Sequence, residues 1–211
     1  MKKVAMAMSF VAVLVGLSQA QVLPEKEEIL ARFVTAVGGV EALNSRSSVD
    51  YAGTIVQDLS WKDPTHSETP FRARADATGK VIYAEGVGCA DFPEQDSGTL
   101  GRKLRWLMLP DFALKIETSF PELQVQGRQL WQGRQKIVLV PENLDPTYYT
   151  LFFDEESGLL THIGFYVELS DWRSVEGVLF PHRFSTSRKG GHTTWMLDEV
   201  TATKKPPEMG G

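Results

Sequence analysis

Residues 147–169 read TYYTLFFDEESGLLTHIGFYVEL, and this stretch decides the expected fold. Apolar and polar residues alternate on both sides of a short acidic run that ends in glycine, Glu155–Gly158. A period of two is typical of half-buried strands, and a short turn with glycine joins neighbouring antiparallel strands. We therefore predict a hairpin made of two strands, Thr147–Asp154 and Leu159–Leu169.

The same alternation recurs along most of the chain. Further strands are predicted at residues 49–59, 71–77, 80–86, 122–131, 135–140, 178–188 and 192–203. Short turns, most of them glycine-containing, separate many of these runs. Together they predict one antiparallel sheet of about eight to ten strands.

Few helices are available to cover this sheet. Pro24–Val37 carries one apolar stripe with a 3.6-residue period, with Pro24 at the expected first helical position and Gly38-Gly39 at its end. Shorter helices are predicted at residues 40–43, 100–109 and 111–120, and a loop from Cys89 to Gly101. The fold class is α+β: a curved antiparallel sheet that forms a half-open β-barrel, with the N-terminal helix and one or two short helices over its concave face.

A large twisted sheet curls, and one amphipathic helix cannot cover all of its apolar face. An apolar concave surface is then left for a ligand, or the same side chains only form a core. The candidate residues that line a hydrophobic ligand site are Phe165, Trp195, Phe184, Phe152, Trp131 and Trp106.

The first twenty residues are typical of a secretory signal peptide. A basic start is followed by an apolar run of about 14 residues from Val4 to Leu17, shorter than the ~20 that a spanning helix needs. Ser18-Gln19-Ala20 fits a cleavage site. We predict a signal peptide at 1–20, a single domain at 21–203 and a flexible tail at 204–211. The mature chain is expected to be periplasmic or secreted and to have no transmembrane segment.

Composition and motifs exclude several functions. The net charge of −5 argues against nucleic-acid binding, and one cysteine excludes a disulfide framework. None of the four histidines has the spacing of a metal site, and His66 with Glu68 is expected to be solvated. No cofactor or metal is expected. Cys89 could serve as a nucleophile with one of the histidines as its base, although no signature surrounds it.

Three segments together resemble the LolA/LolB-like superfamily of outer-membrane lipoprotein-sorting carriers and their broad envelope relatives. They are ILARFVTAVGGVEAL at 29–43, YTLFFDEESGLL at 149–160 and SDWRSVEGVLFPHRF at 170–184. They occur in the order of that superfamily after a signal peptide. The resemblance implies a half-open barrel that holds acyl chains between the sheet and its helices and catalyses nothing.

We therefore expect a non-enzymatic envelope protein that binds a hydrophobic ligand, a lipid or a lipoprotein acyl chain, on the concave face. The first alternative is a protein-interaction or sensor module of the same fold whose partner is another envelope protein. A dry and fully filled sheet interior would favour that alternative. The second alternative is a hydrolase that uses Cys89.

Overall fold

The computed structural model of the chain describes residues 22–59, 65–85, 105–188 and 191–206. Ten strands lie in these ranges: β1 (Arg46–Leu59), β2 (Thr65–Asp76), β3 (Val81–Glu85), β4 (Leu123–Trp131), β5 (Arg134–Pro141), β6 (Leu151–Asp154), β7 (Leu160–Ile163), β8 (Val167–Val175), β9 (Val178–Arg188) and β10 (Gly191–Lys204). They form one sheet in the order β3-β2-β1-β10-β9-β8-β7-β6-β5-β4. All pairs are antiparallel.

The order of the strands follows the chain except at one place. β1 pairs with β10 along nearly its whole length, from Arg46 with Lys204 to Leu59 with Gly191, which joins the first strand to the last. β3 and β4 are left at the two edges, so the sheet of the described residues is open. The predicted α+β fold with a curved, open antiparallel sheet is confirmed.

Two helices precede the sheet, α1 (Lys26–Ala36) and α2 (Gly39–Asn44). The apolar stripe of α1 is buried on the sheet, as its period predicts. The prediction that Pro24 is the first helical residue is wrong, because Glu25 is still extended and occupies the N-cap position of a helix that begins at Lys26. α1 has 11 residues, and no helix in the described ranges combines the length and apolar character needed to cross a membrane.

A second helical segment lies between β3 and β4. It contains a helical turn at 105–107, a 3₁₀ helix (Phe112–Lys115) and α3 (Ile116–Ser119). The helix predicted at 111–120 is therefore present as two short pieces. The loop predicted from Cys89 to Gly101, and residues 100–104 of the helix predicted at 100–109, lie outside the described residues.

The opening stretch corrects the prediction in two places. The predicted strand Thr147–Asp154 is a short helix, α4 (Pro146–Tyr149), followed by β6. Asp145 caps this helix, since its carboxylate accepts a hydrogen bond from the Thr147 amide at 2.9 Å. The Asp145-Pro146 pair is a helix start signal that outweighed the apolar alternation after it.

The predicted strand Leu159–Leu169 is likewise divided into β7 and β8. Gly164 turns the chain between them with a φ of 57°, and a Cβ atom added there would lie 2.7 Å from Cα of Tyr148. The connection therefore packs on α4, and only glycine fits at the contact. One consequence is that Phe165 leaves the strand alternation and is 51% exposed.

Candidate functional site: the inner face and its cover segment

The face of the sheet that α1 covers, here called the inner face, is apolar. α1 places Ile29, Leu30 and Phe33 on it, each at most 7% exposed. The ring of Phe33 lies 5.4 Å from the ring of Phe153 on β6 and 6.3 Å from Trp172 on β8, measured between centroids. The main core of the protein is therefore the layer between this face and the segments that cover it.

Residues 105–120, here called the cover segment, complete that layer. Its buried apolar side chains are Trp106, Leu107, Met108, Leu109, Phe112, Ala113, Ile116 and Phe120. Its backbone hydrogen bonds among the described residues close within the segment, such as Leu109 to Trp106 and Leu114 to Asp111. The cover segment lies on the sheet without pairing with any described strand.

Side chains provide the polar contacts between the cover segment and the rest of the described chain. The hydroxyl of Tyr51 on β1 donates to the carbonyl of Met108 at 2.8 Å in a buried position. Lys115 donates to the carbonyl of Ala77 at 3.3 Å, and Lys26 of α1 pairs with Glu117 at 2.7 Å on the surface. Burial of apolar surface is therefore the main force that holds this segment in place.

Phe112 lies at the centre of this arrangement and is fully buried. Its ring centroid is 6.0 Å from Phe33, Trp106 and Phe180, and 6.2 Å from Trp172. These five side chains are called the inner ring cluster. Two of them carry a buried indole N–H that has no acceptor within the described ranges, at Nε1 of Trp106 and Nε1 of Trp172.

The six predicted ligand-lining residues do not form one site. Trp106, Phe184 and Trp195 belong to the main core on the inner face, where Phe184 and Trp195 are cross-strand partners on β9 and β10. Phe152 is on the opposite, outer face, because it directly follows Leu151 and precedes Phe153, and successive side chains of a strand alternate. Trp131 and Phe165 lie with it.

These outer residues form a separate small cluster, here called the outer ring cluster: Trp131, Phe152, His162 and Phe165. The ring of Trp131 is 5.3 Å from Phe152, 5.5 Å from His162 and 6.0 Å from Phe165, on which it stacks. Phe152 is 2% exposed, whereas Phe165 is half exposed. The structure therefore brings Trp106, Phe184 and Trp195 to one face of the sheet and these three aromatic residues to the other, and the ligand-binding role of the six stays a prediction.

Burial lowers the pKa of His162 within the outer ring cluster. The negative charge of Glu168 opposes this effect and the positive charge of Lys136 adds to it. Next to His162 on the same face, the buried Lys136 pairs with the buried Asp154 at 2.9 Å, and Arg134 also contacts that carboxylate. Burial opposes the charge of Asp154, but hydrogen bonds from Ser157 and Lys136 outweigh it and hold the pKa of Asp154 far below its usual range.

Described residues line a small gap and a larger groove of different character. A gap of about 20 Å³ lies between α1 and the β5–β6 region, next to Ile29 and Phe153. A larger groove of about 430 Å³ crosses β2, β1 and β10, and charged side chains line it: Asp50, Arg72, Arg74 and Glu199. The larger groove is unsuited to an acyl chain, because a hydrocarbon gains little where charged groups must stay hydrated.

The described part of the chain forms no metal-binding cluster. There, no group of three or more His, Cys, Asp or Glu side chains could hold a metal ion. His66 lies on β2 between Asp58 at 2.7 Å and Glu68 at 3.3 Å, with all three side chains more than half exposed. Its pKa is raised by the hydrogen bond with Asp58 and then by Glu68. Cys89 is outside the described residues.

Sequence reasoning missed most of the inner ring cluster. Phe33 lies in the predicted N-terminal helix, Phe180 in the strand predicted at 178–188 and Phe112 in the helix predicted at 111–120. Trp172 lies outside the predicted strands. The high proportion of apolar residues in 106–120 is the sequence feature that indicates a buried segment, because a loop on the surface is usually more polar. Their meeting depends on contacts between residues far apart in the chain, such as Phe33 with Trp172 and Phe112 with Phe180.

Solved structures match this fold. A putative outer membrane lipoprotein-sorting protein domain from Vibrio parahaemolyticus has a TM-score of 0.54 at 10% identity, over 86% of this chain and 93% of that one. A DUF1329 family protein from Desulfovibrio piger has a TM-score of 0.51 at 10% identity, over 83% and 92%. A LolA superfamily protein from Nitrosomonas europaea has a TM-score of 0.48 at 9% identity, over 89% and 97%.

No protein-family model and no curated protein matches the chain in sequence. Identities of about one residue in ten show a shared fold and nothing finer. The chain has a LolA-like fold, and the fold that the three sequence segments implied is confirmed.

Proposed function

We propose that this protein is a non-enzymatic envelope protein that binds a hydrophobic ligand, a lipid or a lipoprotein acyl chain, between the inner face of the sheet and the cover segment. The observation that carries this proposal is the way the cover segment is held. It lies over an apolar face through buried side chains and pairs with no strand of the described ranges. The LolA-like fold supports the same conclusion, because it is a carrier or binding fold.

The exchange of the cover segment for a ligand is physically reasonable. An acyl chain gains about 0.8 kcal/mol for each CH₂ group that leaves water. Displacing the cover segment exposes apolar side chains such as Phe112 and Ile116, but breaks no described ladder of sheet hydrogen bonds. Ligand binding then replaces one apolar covering of the inner face with another.

The proposed setting follows from the N-terminal pattern. Residues 1–20 act as a signal peptide cleaved after Ala20, and the mature protein works in the periplasm or outside the cell.

The test uses the mature protein purified from its own envelope and a fluorescent fatty acid. We expect an added lipid mass in native mass spectrometry and uptake of the fluorescent probe. A locked variant shows where the probe binds: Lys26→Cys with Glu117→Cys, in a Cys89→Ser background, joined by a short bis-maleimide across the surface pair. Locking should abolish uptake, and the single Lys26→Cys variant treated with the same reagent should keep it. Equal uptake by the locked and unlocked proteins, or none by either, contradicts the proposal.

One observation favours the interaction module as a second candidate. Phe33, Phe112, Phe153 and Phe180 are each at most 1% exposed, so the inner face around them is filled by the protein's own side chains. A protein that keeps this interior filled would instead bind an envelope partner through its surface. Absence of any lipid uptake, together with co-purification of one envelope protein in a stoichiometric complex, would favour this candidate.

A further inference from the structure

Phe112 has the surroundings of a bound aromatic or aliphatic group. Phe112 belongs to neither a strand nor a long helix. Its ring is nevertheless fully buried among four other rings, those of Phe33, Trp106, Trp172 and Phe180. Rings at centroid distances of 6.0–6.2 Å surround it from α1, the cover segment, β8 and β9. A side chain in this position contributes as much apolar burial as a short stretch of a hydrophobic ligand.

The element that carries Phe112 is easily rearranged. It is a 3₁₀ helix of four residues that follows Pro110 and Asp111, and the Asp111 side chain makes no capping hydrogen bond. The amide of Phe112 bonds to the carbonyl of Leu109 within the same segment. Withdrawal of the ring therefore costs apolar burial and few hydrogen bonds, and a ligand that enters can restore that burial.

Two polar groups beside the ring lack a partner among the described residues. The indole N–H groups of Trp106 and Trp172 are buried, and no described atom accepts a hydrogen bond from either one. A buried donor without an acceptor is costly, and most such groups in proteins are paired. A pure hydrocarbon leaves both groups unpaired, whereas a ligand with a carbonyl oxygen can accept a hydrogen bond from either one.

We propose, on the basis of the proposed function, that Phe112 occupies the innermost part of the ligand site when the protein is empty. We further propose that the ligand that displaces it carries a hydrogen-bond acceptor, such as the ester carbonyl of an acyl chain, beside Trp106 and Trp172. Phe112 then competes with the ligand, so the empty protein keeps its inner face dry. Only molecules in which Phe112 has withdrawn can bind the ligand. The apparent affinity is therefore the intrinsic affinity multiplied by the fraction of such molecules.

The first experiment removes the competing ring. Phe112→Ala and the milder Phe112→Leu are compared with wild type and with Phe152→Ala, a matched control that removes an equally buried phenylalanine from the outer face. The probe is methyl decanoate, measured by displacement of a fluorescent fatty acid, and circular dichroism checks that each variant is folded. We expect the affinity to rise about tenfold in Phe112→Ala and less in Phe112→Leu. Phe152→Ala should stay within about twofold of wild type, because it does not touch the inner ring cluster.

The second experiment tests the acceptor. Methyl decanoate is compared with n-dodecane, which has a similar length and lacks the ester. The ester should bind about two- to tenfold more tightly than the alkane, a ratio typical of one neutral hydrogen bond. Trp106→Phe or Trp172→Phe should reduce this ratio, because each variant lacks an indole N–H that can donate to the ester carbonyl.

The outcomes separate this inference from the proposed function. If wild type binds the ester but the folded Phe112 variants bind it no more tightly, Phe112 does not occupy the ligand site and the carrier function stands. If ester and alkane bind alike in wild type and in both tryptophan variants, the acceptor is wrong. If no protein binds either probe, the proposed function fails as well. Should Phe112→Ala not fold, Phe112→Leu and the tryptophan variants decide the outcome.

Discussion

Gly38 packs directly against the carbonyl oxygen of Gly177. A Cβ atom added to Gly38 would overlap that oxygen and lie 3.2 Å from Cα of Val178. The neighbouring carbonyl of Val37 accepts a hydrogen bond from Leu179 at 2.9 Å. The junction between α1 and α2 is thus fixed to the β8–β9 turn by close backbone contact, which only glycine permits.

A second contact fixes the other side of α1. Arg32 donates to the carbonyl of Glu156 at 2.9 Å in the β6–β7 turn, and its Cγ would lie 3.0 Å from a Cβ atom on Gly158. The three sequence segments that resemble the carrier superfamily therefore meet at α1. Gly38 and Gly158 lie where α1 packs on these two hairpin turns. Close packing therefore explains these glycines, in addition to turn formation.

The first prediction concerns this junction. Gly38→Ala should destabilise the protein by about 3 kcal/mol or more, because the new methyl group has no space and Gly38 has a φ of 126°. Gly39→Ala is the matched control: its φ is 86°, but nothing lies within 4 Å of the added atom, so only backbone strain of about 1–2 kcal/mol is expected. Urea unfolding of both variants measures the difference. Equal losses would show that the contact with Gly177 contributes nothing.

A second prediction concerns the buried ion pair on the outer face. Lys136→Met should cost about 3 kcal/mol, since it leaves the buried carboxylate of Asp154 with weaker compensation. Arg134, whose side chain is half exposed, also contacts Asp154, so Arg134→Met should cost about 1 kcal/mol or less. Thermal or chemical unfolding at neutral pH provides the comparison. A Lys136→Met protein as stable as wild type would contradict the role given to this pair.

A third prediction concerns pH. The pKa of His162 is lowered in the folded protein by burial, so the unfolded chain takes up a proton first as the pH falls below about 6.5. Stability should therefore be full above that pH and decline as the pH is lowered toward the folded-state pKa. His162→Phe should remove this part of the decline. Unfolding curves at several pH values check it.

His66 provides the control for that experiment. Its pKa is raised, mainly by the hydrogen bond with Asp58. Any contribution of His66 to the stability of the folded protein therefore has the opposite sign: it is present at low pH and is lost as the pH rises. His66→Gln should therefore keep the decline that His162 causes. If the decline instead persists in His162→Phe, the burial of His162 is not its source.

The fourth prediction concerns the cover segment. Tyr51→Phe removes the buried hydrogen bond to the carbonyl of Met108 and should weaken the attachment of residues 105–120 by about 1 kcal/mol. Hydrogen–deuterium exchange should speed up in this segment and stay unchanged in paired strands such as β5 and β9. Uniform acceleration across the whole sheet would mean that Tyr51 supports global stability rather than the cover segment.

The sequence predicted the sheet more reliably than the site. Hairpins with short turns, such as β9 and β10, were recovered because strand alternation and turn residues are local signals. The division of Leu159–Leu169 at Gly164 was not recovered, because the reason for that turn is its contact with Tyr148 on α4. Phe152 lies in the part of the predicted strand that is present as β6, but the sequence does not fix which face of the sheet its side chain occupies.

What the sequence determined by itself is the class of fold, the amphipathic helix that covers it and the chain's acidic, cysteine-poor character. These depend on residue periodicity, on the residues permitted in turns and on composition, all of which act locally or additively. The tertiary structure alone decided which aromatic residues share a face and that Phe112 fills the centre of the inner one. That choice depends on sheet register and on contacts between residues far apart in the chain. Phe152 and Phe153 are neighbours in sequence, yet their side chains lie on opposite faces of the sheet.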